Sequence, residues 1–207
     1  MRCYLVRHAQ TAWNGENRLQ GTSDIALSAL GQEQAKRLSV YFGVVHADGH
    51  PIAALYTSHL KRSRETADWI ARQTGVTPIV EPALAEMGLG DWEGLTPEEI
   101  DGRFDGAYER WRQEPGRVVI PQAEPLRVFR GRVRDAFERI LAAQREGSVV
   151  IVSHGGVLAS FLADCLDADY ERVLRKLVLE NAGVSAVDAY TRPPHILWVN
   201  HTAHLAV

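Results

Sequence analysis

Residues 149–156 read Val149-Val150-Ile151-Val152-Ser153-His154-Gly155-Gly156. Four consecutive apolar, β-branched residues predict a strand that is buried on both faces, as in a parallel sheet. The two glycines and the apolar stretch that continues through Leu166 predict a helix directly after this strand. A buried strand followed at once by a helix favours an α/β fold.

The rest of the chain alternates between the same two patterns. Further strands are predicted at 3–6, 53–56, 79–80, 184–187 and 196–199. Further helices are predicted from Ser28 to Val45, from Leu60 to Thr74 before Gly75, and from Leu126 to a point before Gly147. This alternation is typical of an α/β protein with a mostly parallel sheet.

The pattern breaks down between Glu86 and Pro125. The stretch holds glycines and prolines that interrupt regular structure: Gly88, Gly90, Gly94, Pro115, Pro121 and Pro125. Within it, Thr96-Pro97-Glu98-Glu99 predicts one short helix, because it supplies an N-cap, a proline and a capping-box glutamate. The chain of 207 residues is longer than the ~150 usual for one domain but too short for two. We predict a single domain over 1–207 with a small cap-like insertion at about 91–125.

Composition excludes several classes of protein. The hydrophobic fraction of 45% and the charged fraction of 24% are those of a globular chain, not of a disordered, collagen-like or coiled-coil protein. The formal net charge of -3 gives no basic field to attract nucleic acid. Only three of the 23 basic residues are lysines, and the other 20 are arginines. This excess either reflects codon usage or indicates bidentate recognition of anions by planar guanidinium groups.

Location is predicted from the cysteines and from the apolar runs. Cys3 and Cys165 lie far apart in apolar surroundings, as is typical of buried free thiols in a reducing compartment. The apolar run at the N-terminus is too short for a signal peptide, and no run of about 18 apolar residues occurs to cross a membrane. We therefore expect a cytoplasmic protein that binds neither membrane nor nucleic acid.

Two histidines follow predicted strands directly. His8 comes after the first strand, beside Arg7, and His154 comes after the strand at 149–152, before two glycines. In open α/β sheets ligands bind beyond the carboxyl ends of the strands. Glycines between a strand and a helix let backbone N–H groups approach an anion, and the helix N-terminus adds partial positive charge. The pair therefore predicts an anion site.

Four segments in chain order resemble the histidine phosphatase superfamily, phosphoglycerate mutase-like branch. They are Arg7-His8-Ala9-Gln10-Thr11-Ala12-Trp13-Asn14 continued by Asn17-Arg18-Leu19-Gln20-Gly21, then Tyr56-Thr57-Ser58-His59-Leu60-Lys61-Arg62, then Leu84-Ala85-Glu86-Met87-Gly88, and last Val152-Ser153-His154-Gly155-Gly156. Local departures are Ala9, His59 and Gln122-Ala123-Glu124-Pro125. The resemblance implies a three-layer α/β/α fold around a mostly parallel sheet.

The resemblance also implies a set of roles. His8 would be the nucleophile that becomes phosphohistidine, and Glu86 would protonate the leaving oxygen and then activate water. Arg7 and Arg62 would hold the phosphoryl oxygens, helped by His154 if that ring is protonated. Further substrate contacts are assigned to Asn14, Gln20, Gly21 and the backbone N–H of Gly155. The implied activity is that of a phosphatase acting on a small phosphorylated metabolite without metal or cofactor.

Several alternatives stay open at this level. The chain could be a cofactor-dependent phosphoglycerate mutase or a non-catalytic phosphate-binding scaffold, and a homodimer is a further possibility. Candidate contacts for the organic part of the substrate come from the insertion: Trp92, Arg103, Tyr108, Arg110 and Arg112. His201 and His204 either line the mouth of the site or have a structural role. His46 and His50 are predicted to lie in a loop and not to bind zinc.

Overall fold

The computed structural model describes residues 1–144, 146–191 and 193–206. In chain order the strands are β1 (Arg2–Arg7), β2 (Ile52–Thr57), β3 (Pro78–Val80), β4 (Ser148–Ser153), β5 (Val184–Asp188) and β6 (His195–His201). They form one sheet in the order β3-β2-β4-β1-β5-β6. The first four in that order are parallel, and β5 and β6 are antiparallel to their neighbours. The predicted mostly parallel sheet is confirmed.

Eight α-helices surround or follow the strands in the described ranges. They are α1 (Ala12–Gly15), α2 (Ala29–Ala47), α3 (Lys61–Thr74), α4 (Pro97–Arg103), α5 (Ala107–Gln113), α6 (Leu126–Ala143), α7 (Gly155–Cys165) and α8 (Tyr170–Lys176). The predicted signals operate as expected: Ser28 caps α2, Thr96 and Glu99 form the capping box of α4, and Gly75 ends α3 in the left-handed conformation. The short helices α1, α5 and α8 were not predicted.

The two faces of the sheet pack against different helices. On β1, Tyr4 and Val6 belong to the apolar cluster that contains α2 and α3 residues such as Leu38 and Ile70. The alternate residues of that strand belong to a second cluster, with side chains from α6, α7 and α8. Since neighbouring side chains on a strand point to opposite faces, one strand supplies both cores. The expected three-layer α/β/α arrangement is confirmed.

Residues of the insertion form a third, smaller apolar cluster. Its buried members are Trp92, Ile100, Ala107 and Ile120. Gly90 allows a close approach within this segment, since its φ is +51° and an added Cβ would lie 2.1 Å from the carbonyl oxygen of Pro121. The cluster is consistent with the insertion at about 91–125, and the division of the chain into one domain and an insertion stays a prediction.

The two cysteines are free. Cys3 is buried in β1, as expected, whereas Cys165 at the end of α7 is only half-buried. Among the described residues no helix is long and apolar enough to cross a membrane.

Candidate active site

The two histidines that follow strands meet at one edge of the sheet. β1 and β4 are parallel neighbours, so His8 and His154 leave the sheet side by side. The backbone N–H of His8 donates to the carbonyl oxygen of Ser153 at 2.8 Å, and the two imidazole ring centroids are 5.2 Å apart. Both side chains are buried, with His8 3% exposed and His154 0% exposed.

The ring of His8 is held in one tautomer. Its Nδ1 lies 2.7 Å from the carbonyl oxygen of Ala9. Because a carbonyl can only accept, Nδ1 carries the proton and Nε2 keeps its lone pair. Burial, together with the charges of Arg62 and Arg7, lowers the pKa of His8 well below its ordinary value. His8 is therefore a neutral imidazole with one unprotonated nitrogen, and it lines a cavity.

The ring of His154 is also neutral, and its two nitrogens have side-chain partners. The Nε of Arg62 donates to His154 Nδ1 at 3.2 Å, and Nε2 lies 2.8 Å from the hydroxyl of Ser58. Burial and the neighbouring Arg62 charge lower the pKa of His154 well below its ordinary value. A direct contact of His154 with the phosphoryl group was expected only if this ring is protonated, and in this arrangement Nδ1 accepts a hydrogen bond from Arg62 instead. Its role here is to hold Arg62.

Two arginines bring positive charge to the site without a carboxylate partner in the described parts of the chain. Arg62 is 0% exposed and donates from its two terminal nitrogens to the carbonyl oxygens of Gly21 and Ser23, each at 2.7 Å. Burial lowers its pKa to about 10, so it remains charged at neutral pH. Arg7 donates to Leu179 through Nη1, and its buried Nε has no acceptor among the described residues.

These arginines can hold an anionic ligand. A buried charge is costly unless it is paired and hydrogen-bonded. Each guanidinium carries five N–H groups, and carbonyl or imidazole acceptors occupy only some of them. Planar guanidinium groups bind phosphate oxygens in bidentate fashion. The site therefore fits a phosphoryl group between the arginines and His8 Nε2.

Glu86 faces the start of α7. Its Oε2 accepts from the backbone N–H of Gly156 at 2.9 Å, and its Oε1 accepts from that of Met87 at 3.0 Å. A Cβ on Gly156 would lie 2.5 Å from Oε1, so only glycine leaves room for the carboxylate here. Gly155 is less crowded, since an added Cβ would lie 3.8 Å from Arg7 Nε, at an ordinary van der Waals distance.

Asn14, Gln20 and Gly21 line the same cavity. The Oδ1 of Asn14 accepts from the backbone N–H of Thr11 at 3.0 Å, which leaves its Nδ2 to donate towards a ligand. The Oε1 of Gln20 lies 3.0 Å from the hydroxyl of Thr11, so its Nε2 is available in the same way. Gly21 also helps to hold Arg62, because its carbonyl oxygen accepts from Nη2 of that arginine.

The cavity extends from these groups to an apolar wall and has a volume of about 290 Å³. The wall consists of Leu19, Met87, Leu89, Trp111, Tyr170 and Leu174. None of the candidates predicted from the insertion lines it: Trp92, Arg103, Tyr108, Arg110 and Arg112. Trp92 is instead buried in the cluster of the insertion, and the three arginines lie exposed in water. Helical arginines usually face solvent, and these do so.

The remaining histidines lie away from the cavity. His204 packs against Tyr41, and its Nε2 donates to the carbonyl oxygen of Ala182 at 3.1 Å, so its role is structural. His201 stacks on His204. His46 lies in the last turn of α2, where a loop was expected, and its Nδ1 accepts from the backbone N–H of Ile52.

Sequence reasoning missed several residues that build the site. Ser58 contacts His154, and Asn181 donates to the backbone carbonyl of His8 at 3.0 Å. Ser58 follows β2 directly, so its place at a strand end was an available signal. Asn181 had no comparable signal, because it is polar and precedes a strand. Trp111 and Tyr170 lie on the unpredicted helices α5 and α8.

A neutral histidine, the fully buried Arg62, the partly buried Arg7 and a carboxylate meet at the carboxyl edge of a parallel sheet. Such a set fits the class of phosphoryl-transfer enzymes. Comparison with known proteins agrees with this class. The family model of the histidine phosphatase superfamily (branch 1) matches residues 3–202. The chain belongs to this superfamily, and it is a phosphomonoesterase, as the resemblance implied.

Relatives carry different substrate names. "Phosphoserine phosphatase 1" of Hydrogenobacter thermophilus is 32% identical, over 97% of this chain and 92% of that protein. A "probable 2-carboxy-D-arabinitol-1-phosphatase" of Arabidopsis thaliana is 33% identical over 94% of this chain, which spans only 40% of the plant protein. A "probable phosphoglycerate mutase GpmB" of Erwinia tasmaniensis is 34% identical over 98% of this chain and 92% of that protein.

A solved structure shows the same fold. The mycobacterial glucosyl-3-phosphoglycerate phosphatase, in a structure complexed with VO3, is 27% identical and superposes with a TM-score of 0.84. The match covers 97% of this chain and 99% of that chain.

Proposed function

We propose that the protein hydrolyses a small-molecule phosphate monoester in two steps, with His8 as the nucleophile. The observation that carries this proposal is the fixed, neutral ring of His8, which lines a cavity together with Arg7 and the buried Arg62, two arginines that lack carboxylate partners in the described chain. A nucleophile of this kind needs no further deprotonation at neutral pH.

In the first step His8 Nε2 attacks phosphorus and the bond from phosphorus to the ester oxygen breaks. Glu86, in its acid form, gives its proton to that oxygen, so the alcohol leaves neutral. The ring gains positive charge as the N–P bond forms. The hydrogen bond from Nδ1 to the carbonyl of Ala9 strengthens at this point, because its donor becomes charged.

In the second step water attacks the phosphorus of phosphohistidine. The Glu86 carboxylate takes the proton from water, the N–P bond breaks, and the pair of electrons returns to Nε2. Inorganic phosphate leaves and His8 is neutral again. All the protein groups end as they began, because Glu86 has regained the proton that it gave to the leaving oxygen, so the next turnover can start.

Charge on the transferred group is met by the arginines and by dipoles. Arg7 and Arg62 supply the cationic donors, and Asn14 Nδ2 and Gln20 Nε2 supply neutral ones. The backbone N–H of Gly155 lies in the first turn of α7, where the helix adds partial positive charge. These groups are fixed before the substrate binds, which is how electrostatic stabilisation of a transition state is most effective.

The apolar wall favours a substrate whose organic part has an apolar face. Arg18 also lines the cavity, and its charge is balanced by Glu16 at 2.9 Å and Glu99 at 2.8 Å. Apart from the two arginines assigned to the phosphoryl group, the described lining therefore offers a substrate carboxylate no unpaired arginine. The relatives named above act on chemically different phosphates, so no single one of their substrates is assigned to this chain.

Two alternatives differ from this proposal in what happens to the phosphoryl group. A phosphoglycerate mutase would return it to an organic acceptor, and a scaffold would not remove it. Retention of both His8 and Glu86 favours turnover, because binding alone requires neither a nucleophile nor an acid. Metal independence, a cytoplasmic location and a homodimer stay predictions; the first is tested by assaying activity in EDTA.

The test is to trap the intermediate. Enzyme mixed with ³²P-labelled phenyl phosphate is denatured at alkaline pH, where phosphohistidine survives, and part of the sample is then acidified. We expect protein-bound label that acid releases, inorganic phosphate as the product, and neither in His8→Ala. Label absent from the wild-type protein during active turnover would exclude the phosphohistidine route, and transfer of label to added 3-phosphoglycerate in place of water would favour a mutase.

A further inference from the structure

The segment that carries Glu86 has little regular structure of its own. A short 3-10 turn spans Pro82–Leu84, and the following residues to Leu89 lie in neither helix nor strand. Backbone carbonyls in such a segment need donors from elsewhere. Leu84 obtains one from the Ser153 hydroxyl at 2.7 Å. Its neighbours obtain theirs from one side chain on α6, Arg132.

Arg132 uses all five of its N–H groups. Nη1 donates to the carbonyl oxygens of Ala83 and Ala85, each at 2.7 Å, and Nη2 donates to that of Glu86 at 2.9 Å. The remaining two N–H groups bind the Glu124 carboxylate in bidentate fashion, at 2.7 and 2.8 Å. The guanidinium therefore fixes the backbone of Glu86 on its N-terminal side.

Glu124 fixes the same segment on its C-terminal side. It lies just before α6, at the end of the insertion, and its backbone N–H donates to the carbonyl oxygen of Gly88 at 2.9 Å. Its carboxylate accepts from the backbone N–H of Gly88 at 3.4 Å. Arg132 and Glu124 together thus hold the chain from Ala83 to Gly88, with Glu86 between the two attachment points.

We propose that Arg132, paired with Glu124, is a positioning residue that aims the Glu86 carboxylate at the ester oxygen of the substrate. This inference rests on the proposed function, because it presumes that Glu86 is the proton donor. Both partners are half-buried, so water competes only in part for these hydrogen bonds. Lysine cannot replace the arginine, because a single ammonium has three donors and cannot reach five acceptors arranged around a planar fork.

The test compares two aryl esters of different leaving-group basicity. Phenolate needs protonation to leave from phenyl phosphate, whereas 2,4-dinitrophenolate leaves without it. The parameter is kcat/KM, which reports the first step alone. We expect Arg132→Lys to lower kcat/KM for phenyl phosphate by ~10 to 100-fold and for 2,4-dinitrophenyl phosphate by less than ~3-fold, as loss of a general acid predicts. Glu86→Gln is the reference variant, because it removes the acid itself. Its loss of kcat/KM should be confined to phenyl phosphate in the same way and should be larger than that of Arg132→Lys.

Three controls separate positioning from a merely structural role. Arg139→Lys changes another arginine of α6, which binds Glu81 at the surface, and it should leave kcat/KM unchanged for both esters. Inhibition by vanadate should be unchanged in Arg132→Lys, because the phosphate cradle does not include it. In the double variant Glu86→Gln/Arg132→Lys, the change at Arg132 should lower kcat/KM for phenyl phosphate by less than ~3-fold relative to Glu86→Gln alone. The reason is that the carboxylic acid positioned by Arg132 is already absent.

The outcomes are distinguishable. Three results would overturn the positioning role while leaving Glu86 as the acid. They are equal losses of kcat/KM for the two esters in Arg132→Lys, no loss for either ester, and full additivity of the two changes in the double variant. If Glu86→Gln itself shows no preference between the esters, the acid role fails and this inference fails with it. Should Arg132→Lys not fold, Glu124→Gln weakens the bidentate interaction between Arg132 and residue 124 with an isosteric side chain. This variant must then show the same larger loss of kcat/KM for phenyl phosphate than for 2,4-dinitrophenyl phosphate.

Discussion

Replacing Gly156 with alanine should separate activity from stability. The added Cβ would lie 2.5 Å from Glu86 Oε1, about 0.9 Å short of the 3.4 Å at which an ordinary contact begins. The obstacle is the end of a flexible side chain, so Glu86 moves and the fold survives. A misplacement of about 1 Å costs on the order of 10²-fold in rate. We therefore expect kcat/KM for phenyl phosphate to fall by about 100-fold.

The same change should not lower the free energy of unfolding. Gly156 lies in the first turn of α7, and alanine is a better helix former than glycine by up to ~1 kcal/mol. Gly131→Ala is the matched control, because Gly131 is in α6 and an added Cβ meets nothing within 4 Å. It should stabilise the protein and leave kcat/KM unchanged. Urea unfolding and steady-state kinetics measure both quantities; full activity in Gly156→Ala would refute the placement of Glu86.

Other consequences concern pH, anions and the apolar wall. The pKa values of His8 and His154 are lowered in the folded state, so at these two residues only the unfolded chain takes up protons as the pH falls below ~6.5. The free energy of unfolding should therefore decrease below this pH, by at most ~1.4 kcal/mol per histidine per pH unit. Urea titrations between about pH 7 and pH 5 measure this slope, and an equally steep slope in His8→Asn would contradict it. Inorganic phosphate at ~100 times its dissociation constant should raise wild-type stability by ~2.7 kcal/mol, and Arg62→Met should lose most of that increase in a thermal melt. Trp111→Ala should raise KM for phenyl phosphate by ~10-fold but not for methyl phosphate, which does not reach the wall; equal effects on the two esters would place the aromatic group elsewhere.

The parts that the sequence predicts well are those set by neighbouring residues. The run at 149–152 shows a strand because it is apolar on both faces, and it is fully buried within β4. Ser28 and Thr96 mark helix starts because a side-chain oxygen satisfies a nearby N–H. Short helices such as α5 and α8 are less visible, because seven residues give barely two turns of apolar periodicity.

The site was only partly predictable. His8 and His154 could be placed together because both follow strands and parallel strands end at one edge. The role of Arg62 came from the resemblance, because a buried and an exposed arginine look alike on a helix. The protonation state of His154 stayed open at the level of sequence, since it depends on Arg62, which lies 92 residues away in the chain.

The sequence by itself therefore determined the order of strands and helices, the two histidines at strand ends and the family. These are local properties: side-chain periodicity, turn chemistry and short motifs with a fixed spacing. Only the tertiary structure decided which hydrogen bonds the site uses. The neutral state of His154, the five bonds of Arg132 and the apolar wall from Trp111 to Leu174 each join segments far apart in the chain. Burial and partner choice depend on how those segments pack, which no single stretch of sequence encodes.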